Sequence, residues 1–82
     1  MVGRDEAVVI ALKLTADDPP SVYQEVERVG DVFTRDGGLT WTVHLVLEPL
    51  NLGEGTIAVD TPGTWAVYIS GTTGRAKWIG LL

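Results

Sequence analysis

The sequence predicts a mainly β fold, a small antiparallel β-sandwich or barrel. Three observations predict it. Side chains from Thr40 to Leu47 alternate strictly, with Trp41, Val43, Leu45 and Leu47 on one face and Thr40, Thr42, His44 and Val46 on the other. A period of two marks a strand with one face on a core. Short apolar runs rich in Val, Ile, Trp and Tyr recur through the second half, separated by Gly- and Pro-containing turns, the pattern of a meander. The chain has 82 residues and no Cys, so residues 1–82 form a single domain that must hold its core without disulfides.

Taken in order, Ala7–Leu14 reads as the first strand, with Val8, Ile10, Leu12 and Leu14 on one face and Ala7, Val9, Ala11 and Lys13 on the other. Both faces are largely apolar, as in a central strand. Asp18-Pro19-Pro20 stops it, since Pro has no N–H to offer a ladder. Residues 19–29 read as one short helix or turn. Asp18 is placed to cap it, Pro19 to open it and Gly30 to end it, and Val22, Val26 and Val29 share a helical face. An edge strand with alternating Val22, Gln24 and Val26 is the alternative.

Phe33–Leu47 is a hairpin around which the chain is organised. Asp36-Gly37-Gly38 supplies its turn, because Gly tolerates the positive φ of tight loops. Glu48–Gly55 reads as a loop, Thr56–Asp60 as a short strand and Thr61–Thr64 as a turn. Trp65–Ser70 and Arg75–Leu82 are the last two strands, joined by Gly71-Thr72-Thr73-Gly74.

The residues of the hairpin carry one resemblance. Thr34-x-Asp36-x-Gly38-x-Thr40-Trp41 resembles the Asp-box, a hairpin repeated in sialidase-type β-propellers and found in other β proteins. Thr34, Asp36, Gly38, Thr40 and Trp41 fill its five defining places. The resemblance covers eight residues and implies a structural hairpin, with Asp36 accepting turn N–H bonds and Trp41 buried at the base. It implies no activity.

Composition narrows the function classes. The net charge is −5, and it is unevenly placed: residues 1–60 hold all eleven acids against four bases, a net −7, and residues 61–82 hold Arg75 and Lys77 and no acid, a net +2. An acidic body repels polyphosphate, which argues against nucleic acid as a partner. The polarity suits head-to-tail contact between copies. No signal peptide is expected, because Ala7–Leu12 follows Asp5 and Glu6 where a leader has bases. That run is also too short to cross a bilayer, so no membrane partner is expected.

Chemistry is sparse. His44 is the only His and reads as an ordinary strand residue on the face away from Trp41. No Ser-His-Asp set, phosphate loop or His-Glu-x-x-His is present. Asp17-Asp18 and the Glu25/Glu27 pair read as solvated charges, not as ligands or an acid–base pair. No catalytic residue, metal or cofactor is expected.

What remains is an excess of apolar surface. Hydrophobic residues make up 45% of the chain, the mean hydropathy is +0.19, and residues 78–82 stay apolar to the last one. The candidate interaction surface is therefore Trp65, Tyr68, Trp78, Ile79, Leu81 and Leu82. Other protein chains are the expected partners, in a homo-oligomer or multi-chain assembly. The expected function is a non-enzymatic structural or interaction subunit, with a virus particle (a phage coat or tail) as a setting that fits. The alternative is a small ligand-binding module that takes carbohydrate on exposed aromatics.

Overall fold

The computed structural model describes residues 1–20, 23–49 and 63–81. In order they form a helix α1 (Arg4–Asp17) and four strands, β1 (Tyr23–Thr34), β2 (Thr40–Pro49), β3 (Gly63–Ser70) and β4 (Ala76–Leu81). The strands pair as one antiparallel sheet in the order β1-β2-β3-β4. The fold is mainly β and antiparallel, as expected. The second layer is a helix, which lies on one face of the sheet, where the sequence suggested more sheet. The expected strand at Thr56–Asp60 lies outside the described residues.

The first correction is α1 itself: Ala7–Leu14, expected as a strand, is helical. Its buried stripe is Ala7, Ala11 and Thr15, a spacing of four that puts three small side chains on one helical face. Small residues let the helix axis come close to a sheet face filled by larger ones. That face presents Val43, Leu45, Leu47, Val67 and Ile69, all fully buried, with Ile10 and Leu14 packed at the margin. Asp5 and Glu6 occupy the first turn, where the helix dipole favours acids. The helix closes with the Asp18 amide donating to the Leu14 carbonyl at 2.7 Å, and Pro19-Pro20 prevents its continuation.

The second correction concerns residues 19–29: in place of the short helix, the edge-strand alternative holds from Tyr23, where β1 begins, and residues 21 and 22 lie outside the described residues. The register against β2 slips at three places, between Tyr23 and Glu25, between Val26 and Arg28, and between Val29 and Val32. Each slip is a bulge with one extra residue on β1. Val26, Val29 and Val32 all pack against the core. Bulges have stretched the strand period from two to three, which in sequence imitates one side of a helix.

β2 behaves as its alternation predicts. Val43, Leu45 and Leu47 are fully buried beneath α1. Its pairing with β3 runs without interruption from Thr40↔Ser70 to Leu47↔Gly63, so Gly63 and Thr64, expected in a turn, begin β3. β4 carries one bulge, between Trp78 and Gly80.

One end of the molecule is tied together by backbone bonds. The Val2 amide donates to the Gly71 carbonyl at 2.7 Å, and the Gly71 amide donates to the Leu39 carbonyl at 2.8 Å. The two turns approach so closely that a Cβ on Gly71 would overlap the Gly38 carbonyl oxygen. Glycine is required there by space, not by φ.

Candidate functional site

The hairpin turn is built from Thr34, Asp36, Gly38 and Thr40. Asp36 Oδ1 accepts the Thr34 hydroxyl and the Thr40 amide, each at 2.9 Å. Thr34 Oγ1 in turn accepts the Gly38 amide at 2.9 Å. Gly37 and Gly38 have φ of 73° and 100°, the left-handed side that glycine supplies without strain. The Thr40 N–H, and then the Thr34 hydroxyl, hold the Asp36 carboxyl below its ordinary pKa. All these bonds are internal to the turn, so its residues serve the hairpin. Trp41 is partly buried, packed on the core edge, with its indole N–H donated to the Val2 carbonyl at 3.0 Å.

Of the six residues expected as one interaction surface, the four with described side chains are divided by the sheet. Trp65 and Trp78 are partly buried and pack against the core on the helix side. Their rings meet edge to face, with centroids 6.0 Å apart at 81°, the favoured aromatic geometry. Trp78 also donates its indole N–H to the Asp18 carbonyl at 2.7 Å. Tyr68 and Ile79 lie on the opposite face and are 41% and 46% exposed. Leu81 pairs in register with Trp65, and Leu82 lies outside the described residues. Trp65 and Trp78 therefore do not share one patch with Tyr68 and Ile79.

The face away from α1 is the candidate site, and no described residue forms a second layer over it. The register sets its rows. Phe33, Thr42, Tyr68 and Lys77 run straight across the four strands. His44 and Ala66 form the next row on β2 and β3, with Ile79 at the β4 bulge. Phe33, Thr42, His44, Ala66, Tyr68 and Ile79, together with Arg35, Asp36 and Thr40, line a cleft of about 540 Å³. Phe33 and His44 meet edge to face, with centroids 5.5 Å apart, and the Arg35 guanidinium sits 5.2 Å from the Phe33 ring centre.

Charge on this face is confined to the margins. β2 from Thr40 to Val46 and β3 from Thr64 to Ser70 contain no acid and no Lys or Arg. β1, at one edge, carries Glu25, Glu27, Asp31 and Arg28; Arg75 and Lys77 lie at the β4 edge. An uncharged centre inside a charged rim is the anatomy of a protein interface. Thr42, Phe33 and Lys77 escaped the sequence reading because only the register places them in one row with Tyr68.

Catalytic geometry is weak on the same face. His44 Nδ1 lies 3.9 Å from Asp31 Oδ2, beyond hydrogen-bond reach. Among the described residues no group of three or more His, Cys, Asp or Glu side chains is gathered for a metal ion. Among them, too, no helix is long and apolar enough to cross a membrane. No protein-family model matches the chain, and no curated protein or solved structure matches it either, so the functional reading rests on this geometry.

Proposed function

We propose that the chain is a non-enzymatic interaction subunit of a larger protein assembly. The observation that carries this reading is the sheet face over which no described residue forms a second layer, with its uncharged middle, charged rim and half-exposed Tyr68 and Ile79. The other side of the molecule adds support. On α1, Val9 and Leu12 are 63% and 38% exposed, among the charged Arg4, Asp5, Glu6, Lys13 and Asp17. Apolar side chains exposed on both sides of the molecule suit a repeating array, such as a phage coat or tail.

The carbohydrate alternative weighs less, because Trp65 and Trp78 belong to the helix-side layer, on the other side of the sheet from Tyr68. Size fractionation of an extract of the native source tests the proposal. The chain should elute far above its own 8.8 kDa, and a Tyr68→Lys/Ile79→Lys variant should shift toward the monomer. Elution at monomer mass for the unaltered chain would refute the proposal.

A further inference from the structure

The edges of the sheet are poor docking sites. β1 carries three bulges and β4 carries one, and bulges with charged side chains are how edge strands resist strand addition. Pairing β1 with β1 of another copy would align acids with acids, and pairing β4 with β4 would align bases with bases. The far face has neither problem. Its rows place large and small side chains in a complementary order, Thr42 beside Tyr68 and His44 beside Ala66.

We infer that the far face docks a second copy of this chain, face to face, about a two-fold axis that runs along the strands. The inference rests on the interaction-subunit reading and names its partner. An axis of that direction, lying between the two sheets, reverses the strand order and keeps each row level. β1-β2-β3-β4 of one copy then meets β4-β3-β2-β1 of the other. Tyr68 comes over Thr42 and His44 over Ala66, large against small in both halves, which is how facing layers interdigitate. Lys77 comes over the β1 edge beside Phe33, whose ring already carries Arg35, with the acidic side chain of Asp31 one row away to take its charge. The acidic edge therefore lies over the basic edge twice in each dimer. An axis across the strands would instead put β1 over β1 and repel.

Size agrees with a reversible pair. Four strands about 4.8 Å apart and about eight residues long cover about 500 Å² of each copy. The pair buries about 1,000 Å², the lower limit for a specific interface. Because the contact uses the same patch on both copies, it closes at two.

Sedimentation equilibrium of the full chain, from about 1 μM to about 1 mM, reads the affinity directly. The expected result is a monomer–dimer equilibrium with no larger species. Lys77→Glu should weaken it about tenfold, and adding Asp31→Lys to the same chain should restore it, because each dimer contains both exchanged contacts. Tyr68→Lys should abolish the dimer, with circular dichroism confirming that each variant stays folded. A monomer throughout the range would overturn the inference. So would open-ended growth indifferent to Tyr68→Lys, the signature of edge addition, or a Lys77→Glu loss that Asp31→Lys leaves unrestored. The interaction-subunit reading fails separately: a chain monomeric when pure but held in a large native complex that Tyr68→Lys disrupts refutes only the self-pairing.

Discussion

Trp41 donates its indole N–H to the carbonyl oxygen of Val2 at 3.0 Å, which ties the base of the β1–β2 hairpin to the residues that lead into α1. Trp78 does the same at the other end, donating to the Asp18 carbonyl at 2.7 Å just past the last helical turn. The helix is thus held at both ends by indoles from the sheet, across 39 and 60 positions of sequence.

Trp41→Phe and Trp78→Phe keep most of each ring and remove the donor. Each should destabilise the chain by about 0.5–1.5 kcal/mol, the net worth of a hydrogen bond, as read by urea unfolding. Hydrogen exchange should speed up first at the helix end that loses its tie, the N-terminal end for Trp41 and the C-terminal end for Trp78. Equal loss of protection throughout the chain would mean that the indoles do not anchor the helix locally.

Ala11→Leu tests the close approach of α1 to the sheet. Ala11 is fully buried, and a larger side chain there must push the helix off Val43 and Leu45, at about 1–3 kcal/mol for overpacking. Val9→Lys, on the exposed side, should change the stability of the purified chain by less than about 0.5 kcal/mol. A strand at residues 7–14 would make Val9 and Ala11 equivalent, so the contrast between the two melting curves decides.

Gly71→Ala should be costly although the chain direction there is ordinary. The new methyl overlaps the Gly38 carbonyl and forces apart two turns joined by the Gly71-to-Leu39 bond. Backbone on both sides leaves little room to yield, so about 1–3 kcal/mol or more is expected. A variant that melts with the unaltered chain would show that the turns separate freely.

Asp36 links the hairpin to pH. Its carboxyl is held below the ordinary value by the Thr40 N–H first and the Thr34 hydroxyl second. A depressed folded pKa stabilises the fold above the pKa of the unfolded chain, and that stabilisation is lost as the pH falls through the folded value. Titration followed by NMR should place the Asp36 midpoint below that of an unstructured Asp. Asp36→Asn should lower the melting temperature at neutral pH and flatten its fall in acid. An ordinary midpoint would mean that the turn bonds do not favour the ionised form.

The candidate site was only partly legible. Tyr68 and Ile79 were readable as surface candidates, since large side chains in late strands of a small chain need cover. Their grouping with Trp65 and Trp78 was not, because a β4 bulge and the helix-side packing of both indoles separate the two pairs. The row Phe33-Thr42-Tyr68-Lys77 exists only once three registers are set.

Local chemistry determined the hairpin. The alternation of Thr40–Leu47 assigns each side chain a face without reference to the rest of the chain, and Asp36 with two glycines encodes the turn within five residues. Tertiary structure decided the two elements before it. Ala7–Leu14 alternates as well as a strand does, yet a sheet face filled by Val43, Leu45, Leu47, Val67 and Ile69 is covered best by a close-lying stripe of Ala7, Ala11 and Thr15. Residues 23–34 space their core valines by three, yet they pair with β2, because bulges absorb the extra residues and keep Val26, Val29 and Val32 on the core side. Periodicity reports which residues share a side; whether helix or bulged strand delivers them depends on the surface they must meet.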